Sequence, residues 1–114
     1  MAAIDRPRDL RAGRVVVVTR HPRAGREIAA LGGAKRFRGR TVIDIGTGNG
    51  RLAFDVARHA RRVLGVDPSD GAVEVGRRQA DARGIRNVEF RVGSAQRLDG
   101  IKERFDIALF SWSL

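Results

Sequence analysis

The chain has 114 residues, enough for one small domain with its own core. It contains no cysteine, which excludes disulfide bonds and thiolate metal sites. The formal net charge is +10, and residues 1–40 hold 11 basic and 3 acidic side chains. Charges in the first ten residues argue against a signal peptide, and no apolar run is long enough to span a membrane. We therefore expect a cytoplasmic protein with a basic amino-terminal arm.

The basic arm, residues 1–40, has two interpretations. It could bind an anionic partner such as a nucleic acid through its arginine side chains. Alternatively, it is a solvated surface in a chain that uses 21 arginines and 2 lysines. Phe37 is the one aromatic residue among these charges, whereas single-stranded nucleic acids are usually bound with the help of several stacking aromatic side chains. The sequence therefore favours the solvated surface.

Two elements are predicted within the arm. Residues 15–19 are a β-branched run typical of a strand, and a histidine–proline pair ends it. Residues 23–37 carry apolar side chains at partly helical spacing, which predicts a helix interrupted by two glycines. We divide the chain into this arm and a main domain of residues 41–114.

Residues 41–50, TVIDIGTGNG, are the stretch around which the main domain is arranged. The first five residues are almost continuously apolar, as in a parallel strand that is buried on both faces. Gly46, Gly48 and Gly50 then allow unusual backbone angles and the close approach of a ligand. A helical pattern follows at once over residues 51–60, so the free N–H groups of its first turn would lie near that ligand.

Downstream, strand and helix patterns alternate. They predict a strand over 62–67, a helix over 69–83, a strand over 87–92, a polar crossover over 96–104 and a strand over 105–114. This alternation is typical of an α/β fold with a parallel sheet. The strand over 87–92 alternates apolar and charged residues, which indicates an edge strand, whereas the last strand is apolar and indicates an interior position.

The spacing of the glycines indicates which family the chain resembles. A dinucleotide-binding fingerprint reads G-x-G-x-x-G, whereas here Arg51 stands where the third glycine would be. Nicotinamide binding is therefore disfavoured. With Asp44 two residues ahead, the string D-x-G-x-G-x-G resembles the first motif of class I S-adenosylmethionine (SAM)-dependent methyltransferases. The resemblance extends to residue 114.

The resemblance implies a Rossmann-like three-layer sandwich with parallel strands in the order 3-2-1-4, counted from residue 41. Members of this family continue beyond the fourth strand with a helix and three more strands. We therefore expect that the chain is the amino-terminal half of a methyltransferase domain, truncated after that strand. The alternatives are a short protein that self-associates through the fourth strand, and a chain in which residues 15–19 cover its edge.

The resemblance also implies which residues bind each part of the cofactor. Asp44 and the glycine turn would hold the methionine part of SAM, Asp67 would accept hydrogen bonds from the ribose hydroxyls, and Ser94 would meet the adenine. An acidic residue about 20 positions after a glycine motif commonly contacts a ribose in such folds. Alternatively, Asp67 belongs to the turn and capping residues that start the next helix. The expected cofactor-binding residues are Asp44, Gly46, Thr47, Gly48, Gly50, Asp67, Pro68, Ser94, Ala95 and Ser111.

The implied activity is methyl transfer from SAM to an acceptor that the sequence does not define. The N/D-P-P-Y string of amino-methylating enzymes is missing, and a small-molecule acceptor is our expectation. Trp112 would face the cofactor, the acceptor or the core. His21 and His59 lie outside the motifs, so we assign no catalytic residue and no metal ligand. The alternative is a non-catalytic module that binds SAM or an anionic partner.

Overall fold

The computed structural model describes residues 33–94, 96, 101 and 103–110, together with the backbone of residues 12–18 and 111. Five strands are described: β1 (Ala12–Val18), β2 (Thr41–Ile45), β3 (Arg62–Asp67), β4 (Val88–Val92) and β5 (Phe105–Ser111). Three helices are described: α1 (Ala34–Phe37), α2 (Arg51–Ala57) and α3 (Asp70–Arg83). Strands and helices alternate from β2 to β4, as expected for parallel pairing.

The strands form one parallel sheet in the order β1-β5-β2-β3-β4. The four strands from β2 onward have the arrangement 3-2-1-4 that was predicted, so the Rossmann-like fold class is confirmed. In the register, Ile43 lies beside Leu64 on one side and Ala108 on the other. Because all five strands are parallel, their carboxyl ends share one edge of the sheet, where open α/β sheets bind ligands.

β1 occupies the outer side of β5. Val15 lies beside Ala108 and Val17 beside Phe110. The sequence predicted a strand over residues 15–19, and the structure has it at Ala12–Val18. It thus covers the edge of β5 within the chain, which is one of the three arrangements considered, and that side of β5 is not open for self-association. β5 has a neighbour on each side, as its apolar sequence predicted.

The helices follow local signals. Ser69 caps α3 by accepting a hydrogen bond from the Ala72 N–H (3.2 Å), and Gly84 ends it with a φ of 66°. α2 is shorter than the 51–60 predicted: it ends at Ala57, and Ala60 forms an isolated antiparallel bridge with Arg38. The helix expected over 23–37 falls mostly outside the described residues. Within the described part of the chain, no helix has the length and apolarity that crossing a bilayer requires.

Both faces of the sheet are buried. Alternate residues of each strand point to opposite faces, and the core accordingly forms two clusters. The first cluster lies under α2 and α3 and includes Val42, Leu52, Val56, Val63, Val73, Phe90, Ile107 and Leu109. The second lies on the other face and contains Ile43, Ile45, Leu64, Val66, Phe105, Ala108 and Phe110. Burial on two faces explains why β2, β3 and β5 are almost continuously apolar.

β4 is the edge strand that its alternating sequence predicted. Glu89 accepts hydrogen bonds from Arg91 (2.7 Å) and Arg62 (2.9 Å), and Arg91 also binds Glu103. The hydrogen bond from Arg91 is the main reason that the pKa of Glu89 lies below its usual range, and Arg62 adds to the effect. This network of four charges covers the polar side of the edge.

The Phe90 side chain fills a space that three glycines leave open. The residue is 1% exposed, and its ring meets that of Phe54 edge-on at a centroid distance of 5.5 Å. A Cβ atom on Gly50, Gly65 or Gly76 would lie within 3 Å of the Phe90 ring. The packing of α2 and α3 on β3 and β4 therefore requires residues without a side chain at these three positions.

We predict that Gly76→Ala destabilises the fold. Its Cβ would lie 2.9 Å from three Phe90 ring atoms, and overpacking of this kind costs about 1–3 kcal/mol. Gly71→Ala on the same helix is the control, because its Cβ would meet only Ser69 Oγ, at 3.8 Å. Urea unfolding should show a lower free energy of unfolding for Gly76→Ala and an undiminished one for Gly71→Ala. Equal stabilities would contradict the packing argument.

Hydrogen bonds between Thr41 and Asp106 join the amino-terminal ends of β2 and β5. Asp106 Oδ2 accepts hydrogen bonds from the Thr41 N–H (2.9 Å) and hydroxyl (3.1 Å). In return, the Asp106 N–H donates to Thr41 Oγ1 at 3.2 Å. The bond from the Thr41 N–H is the largest cause that keeps the pKa of Asp106 below its usual range.

We predict that acid weakens the fold partly through this contact. The pKa values of Asp106 and Glu89 are lower in the folded chain than in the unfolded chain, where they are about 4. Their stabilising effect is complete above the unfolded pKa and is lost as the pH falls through the folded pKa. Asp106→Asn keeps an acceptor for Thr41 but does not titrate, so its unfolding free energy should depend less on pH in acid. Identical pH slopes for the variant and the unmodified chain would contradict this role.

Candidate functional site

The glycine turn lies between β2 and α2, at the carboxyl edge of the sheet. Gly46, Gly48 and Gly50 have φ values of 82°, 59° and 92°, which are angles that favour glycine. The N–H groups of Gly46 and Thr47 both donate to the Val66 carbonyl, at 2.8 and 2.9 Å. The unusual backbone that the sequence predicted is therefore present, and β3 holds it in place.

The glycines of this turn differ in their surroundings. No atom lies within 4 Å of the position that a Cβ on Gly48 would occupy, so this peptide faces open space. A Cβ on Gly50 would lie 2.5 Å from the ring of Phe90 and 3.2 Å from that of Phe54. Gly48 thus offers room for a ligand, whereas Gly50, which we expected at the cofactor, packs against the core.

Asp44 and Thr47 form a buried pair beneath the turn. Asp44 is 0% exposed, and its Oδ2 accepts a hydrogen bond of 2.8 Å from the Thr47 hydroxyl. The carboxylate of Asp44 is thus buried and binds the turn itself, and its assignment to the methionine part of the cofactor stays a prediction. The pair therefore ties the end of β2 to the glycine turn.

Asp67 connects the glycine turn with the start of α3. Its Oδ2 accepts a hydrogen bond from the Gly48 N–H, and its Oδ1 accepts one from the Ser69 N–H, both at 2.9 Å. The turn chemistry weighed as an alternative for Asp67 is thus present. A carboxylate offers about four acceptor positions, so this half-buried side chain has capacity left for hydroxyl donors. Contact with a ribose stays a prediction.

The remaining expected site residues lie at the same edge or outside the described residues. Pro68 is exposed directly after Asp67, and Ser94 is half-buried just beyond β4. The Gly93 N–H donates to the Asp67 carbonyl at 3.0 Å, which brings the segment of Ser94 close to Asp67. Ser111 is the last residue of β5 and is described by its backbone alone, whereas Ala95 and Trp112 are outside the described part.

Sequence reasoning missed two contacts, one at the glycine turn and one at the far end of α2. The Val66 carbonyl anchors the turn, but a backbone contact leaves no sequence signal. The Asn87 side chain donates to the carbonyls of Ala57 and Ala60, at 2.8 and 3.2 Å, and so ties the end of α2 to the start of β4. A lone asparagine before a strand could have suggested such a cap, but not its partners.

Neither histidine belongs to the site as described. His59 follows α2 at the end remote from the glycine turn, and His21 lies outside the described residues. Over the described part of the chain, no group of three or more His, Cys, Asp or Glu side chains is placed to hold a metal ion. The polar groups described at this edge are those of Asp67, the peptides of the turn and Ser94.

Comparison with known proteins decides the family. A family described as a methyltransferase domain matches residues 42–114. The chain belongs to this methyltransferase family. Over 73 residues it is 40% identical to the ubiquinone biosynthesis O-methyltransferase of Azorhizobium caulinodans, an alignment covering 64% of the chain and 28% of that enzyme. Over 69 residues it is 46% identical to the ribosomal protein L11 methyltransferase of Caldicellulosiruptor saccharolyticus, with 60% and 22% covered.

A solved structure agrees with this assignment. The YcgJ protein from Bacillus subtilis superposes with a TM-score of 0.65 at 30% identity, and the match covers 75% of this chain and 37% of that one. The methyltransferase resemblance drawn from the glycine motif is confirmed. The chain spans only about a quarter of the length of the two curated methyltransferases, and their names give different acceptors.

We predict that Thr47→Val destabilises the methyltransferase fold, because it replaces the hydroxyl that donates to buried Asp44 with a methyl group. Loss of such a bond to a buried charged group costs about 1–3 kcal/mol. Thr47→Ser, which keeps the hydroxyl, is the matched control. Its free energy of unfolding, measured in urea, should fall much less. If the valine variant were as stable as the serine variant, the Asp44–Thr47 pair would not hold the turn.

Proposed function

We propose that this chain carries the SAM-binding half of a methyltransferase domain, and that the enzyme moves a methyl group from SAM to a small-molecule acceptor. The observation that carries the proposal is the half-buried Asp67 carboxylate beside the open face of Gly48. Membership of the methyltransferase family supports the choice of SAM over a nicotinamide cofactor.

The residues at the carboxyl edge fit the chemical groups of SAM. Two vicinal ribose hydroxyls need acceptors, and the unused positions of the Asp67 carboxylate can take both. The open space at Gly48 leaves room for the ligand to approach the backbone. Ser94, close to Asp67 along the same edge, offers a hydroxyl that can accept from the adenine amino group. The methionine part would then lie over the turn of residues 46–50.

In this mechanism the residues of the chain bind and align, and none of them reacts. SAM supplies a methyl group that its sulfonium already makes electrophilic. Asp67 would orient the ribose, and the Asp44–Thr47 pair would keep the glycine turn rigid from below. Holding the two reactants in line at short distance is the main way in which such a site accelerates the transfer.

The acceptor is proposed to be a small molecule. Support comes from residues 111–114, which read SWSL where amino-methylating enzymes of this type carry N/D-P-P-Y. An O-methyltransferase of ubiquinone biosynthesis is 40% identical over 73 residues, which agrees with methylation of an oxygen atom. We assign no catalytic base.

We predict that the chain binds S-adenosylhomocysteine (SAH), and that Asp67→Ala weakens this binding at least about tenfold. An ionised acceptor of hydrogen bonds contributes about 1.5–3 kcal/mol per bond, and 1.4 kcal/mol corresponds to a factor of ten. Isothermal titration calorimetry with SAH measures both affinities. Asp70→Ala removes a neighbouring exposed carboxylate and should leave the affinity unchanged.

Because Asp67 also holds Gly48 and Ser69, each variant should first be shown to unfold cooperatively. A folded chain that takes up no SAH would overturn the proposed cofactor site. Equal affinities of the Asp67 and Asp70 variants for SAH would show that Asp67 does not belong to that site.

A further inference from the structure

The outer side of β4 has no partner strand among the described residues. Two hydrogen bonds show how the strand is oriented: the Val63 N–H donates to the Asn87 carbonyl (2.8 Å), and the Gly93 N–H donates to the Asp67 carbonyl (3.0 Å). Residues 87, 89, 91 and 93 therefore direct their backbone groups to β3. Because the direction alternates along a strand, Val88, Phe90 and Val92 direct theirs outward. Among the described residues, no strand pairs with this side.

One side chain covers the middle of this edge. Arg77, which lies on α3, donates two hydrogen bonds to the outward carbonyl of Phe90, from Nε at 3.2 Å and from Nη2 at 3.0 Å. An incoming strand would need the same carbonyl as its acceptor. The Arg77 guanidinium thus occupies the central pairing position of β4.

The sequence of β4 is complementary to itself. It reads VEFRV, so an antiparallel copy centred on Phe90 places Glu89 opposite Arg91 of the other copy, and Arg91 opposite its Glu89. In the same register Val88 lies opposite Val92. Opposite charges and apolar pairs in these positions each stabilise an antiparallel pair. The outward groups of Phe90 would exchange two hydrogen bonds between the copies.

The surroundings of β4 are open on the side of α3. An open groove of about 330 Å³ runs between α3 and the first half of β4, with Arg77, Ile85 and Val88 among its lining residues. Val92, at the other end of β4, is 51% exposed, although valine is usually buried. Unprotected strand edges of this kind pair readily with another chain.

We propose that the outer edge of β4 is a pairing surface for a second copy of this chain, and that Arg77 keeps it closed by occupying the Phe90 carbonyl. The chain with Arg77 is a monomer, and removal of this side chain releases an antiparallel β4–β4 dimer. The charge pattern of VEFRV selects the identical strand as partner. This inference does not depend on cofactor binding.

The test compares Arg77→Ala with Arg78→Ala by sedimentation velocity. Arg78 is the matched control because it is exposed on the same helix and bonds Glu74 (3.1 Å) rather than β4. The Arg77 variant should double its mass from 12.5 kDa as concentration rises, whereas the Arg78 variant and the unmodified chain should stay monomeric. An unchanged far-ultraviolet circular dichroism spectrum would show that the variant is folded.

A second substitution tests whether β4 forms the dimer interface. Val92→Pro removes an N–H that points outward and is not used by β3, and proline is tolerated on the free side of an edge strand. Added to Arg77→Ala, it should restore the monomer. The proposal is overturned if Arg77→Ala remains monomeric, if Arg78→Ala dimerises equally, or if the dimer survives Val92→Pro. Larger aggregates in place of a dimer would likewise refute the self-complementary register.

Discussion

The carboxylate of Asp67 is the contact on which the organisation of the site depends. One of its oxygens binds the Gly48 N–H and the other binds the Ser69 N–H, both at 2.9 Å. The glycine turn after β2 and the helix start after β3 are therefore set by the same side chain. Parallel pairing of β2 with β3 brings these two strand ends to one place. The site therefore depends on the topology of the sheet.

The core and the site share the glycine motif. Gly50 belongs by sequence to the motif, yet its missing side chain leaves space for the buried ring of Phe90 on β4. Gly48, two residues earlier, faces open space and binds Asp67. A short motif of this kind thus satisfies two requirements, namely close packing of a helix on the sheet and close access for a ligand. The same requirement for packing extends to Gly65 and Gly76, which are outside the motif.

Local signals explain what could be predicted. β3 has the predicted bounds, because an apolar run, a terminal acid and a turn enclose it. The Ser69 cap and the left-handed Gly84 similarly marked the ends of α3. The partners of polar side chains were not predictable: Asp44 accepts a hydrogen bond from Thr47, three residues later, and Arg77 reaches a carbonyl that only the strand register turns outward. The spacing of residues along the sequence does not show which side chains and backbone groups will meet in the fold.

β5, inside the described sheet, and β4, at its edge, are covered in different ways, and the difference follows from their sequences. β5 is apolar and buried on both faces, so a charged side chain could not cover its edge without losing water, and a whole strand, β1, pairs with it instead. β4 has one polar face, where Glu89 and Arg91 stay hydrated while bonded to each other. A single arginine reaching from α3 can therefore stay solvated and still occupy the central carbonyl. The apolar strand β5 thus has a strand on each side, whereas the outer side of the amphipathic strand β4 is covered at its centre by one side chain, which a single substitution can remove.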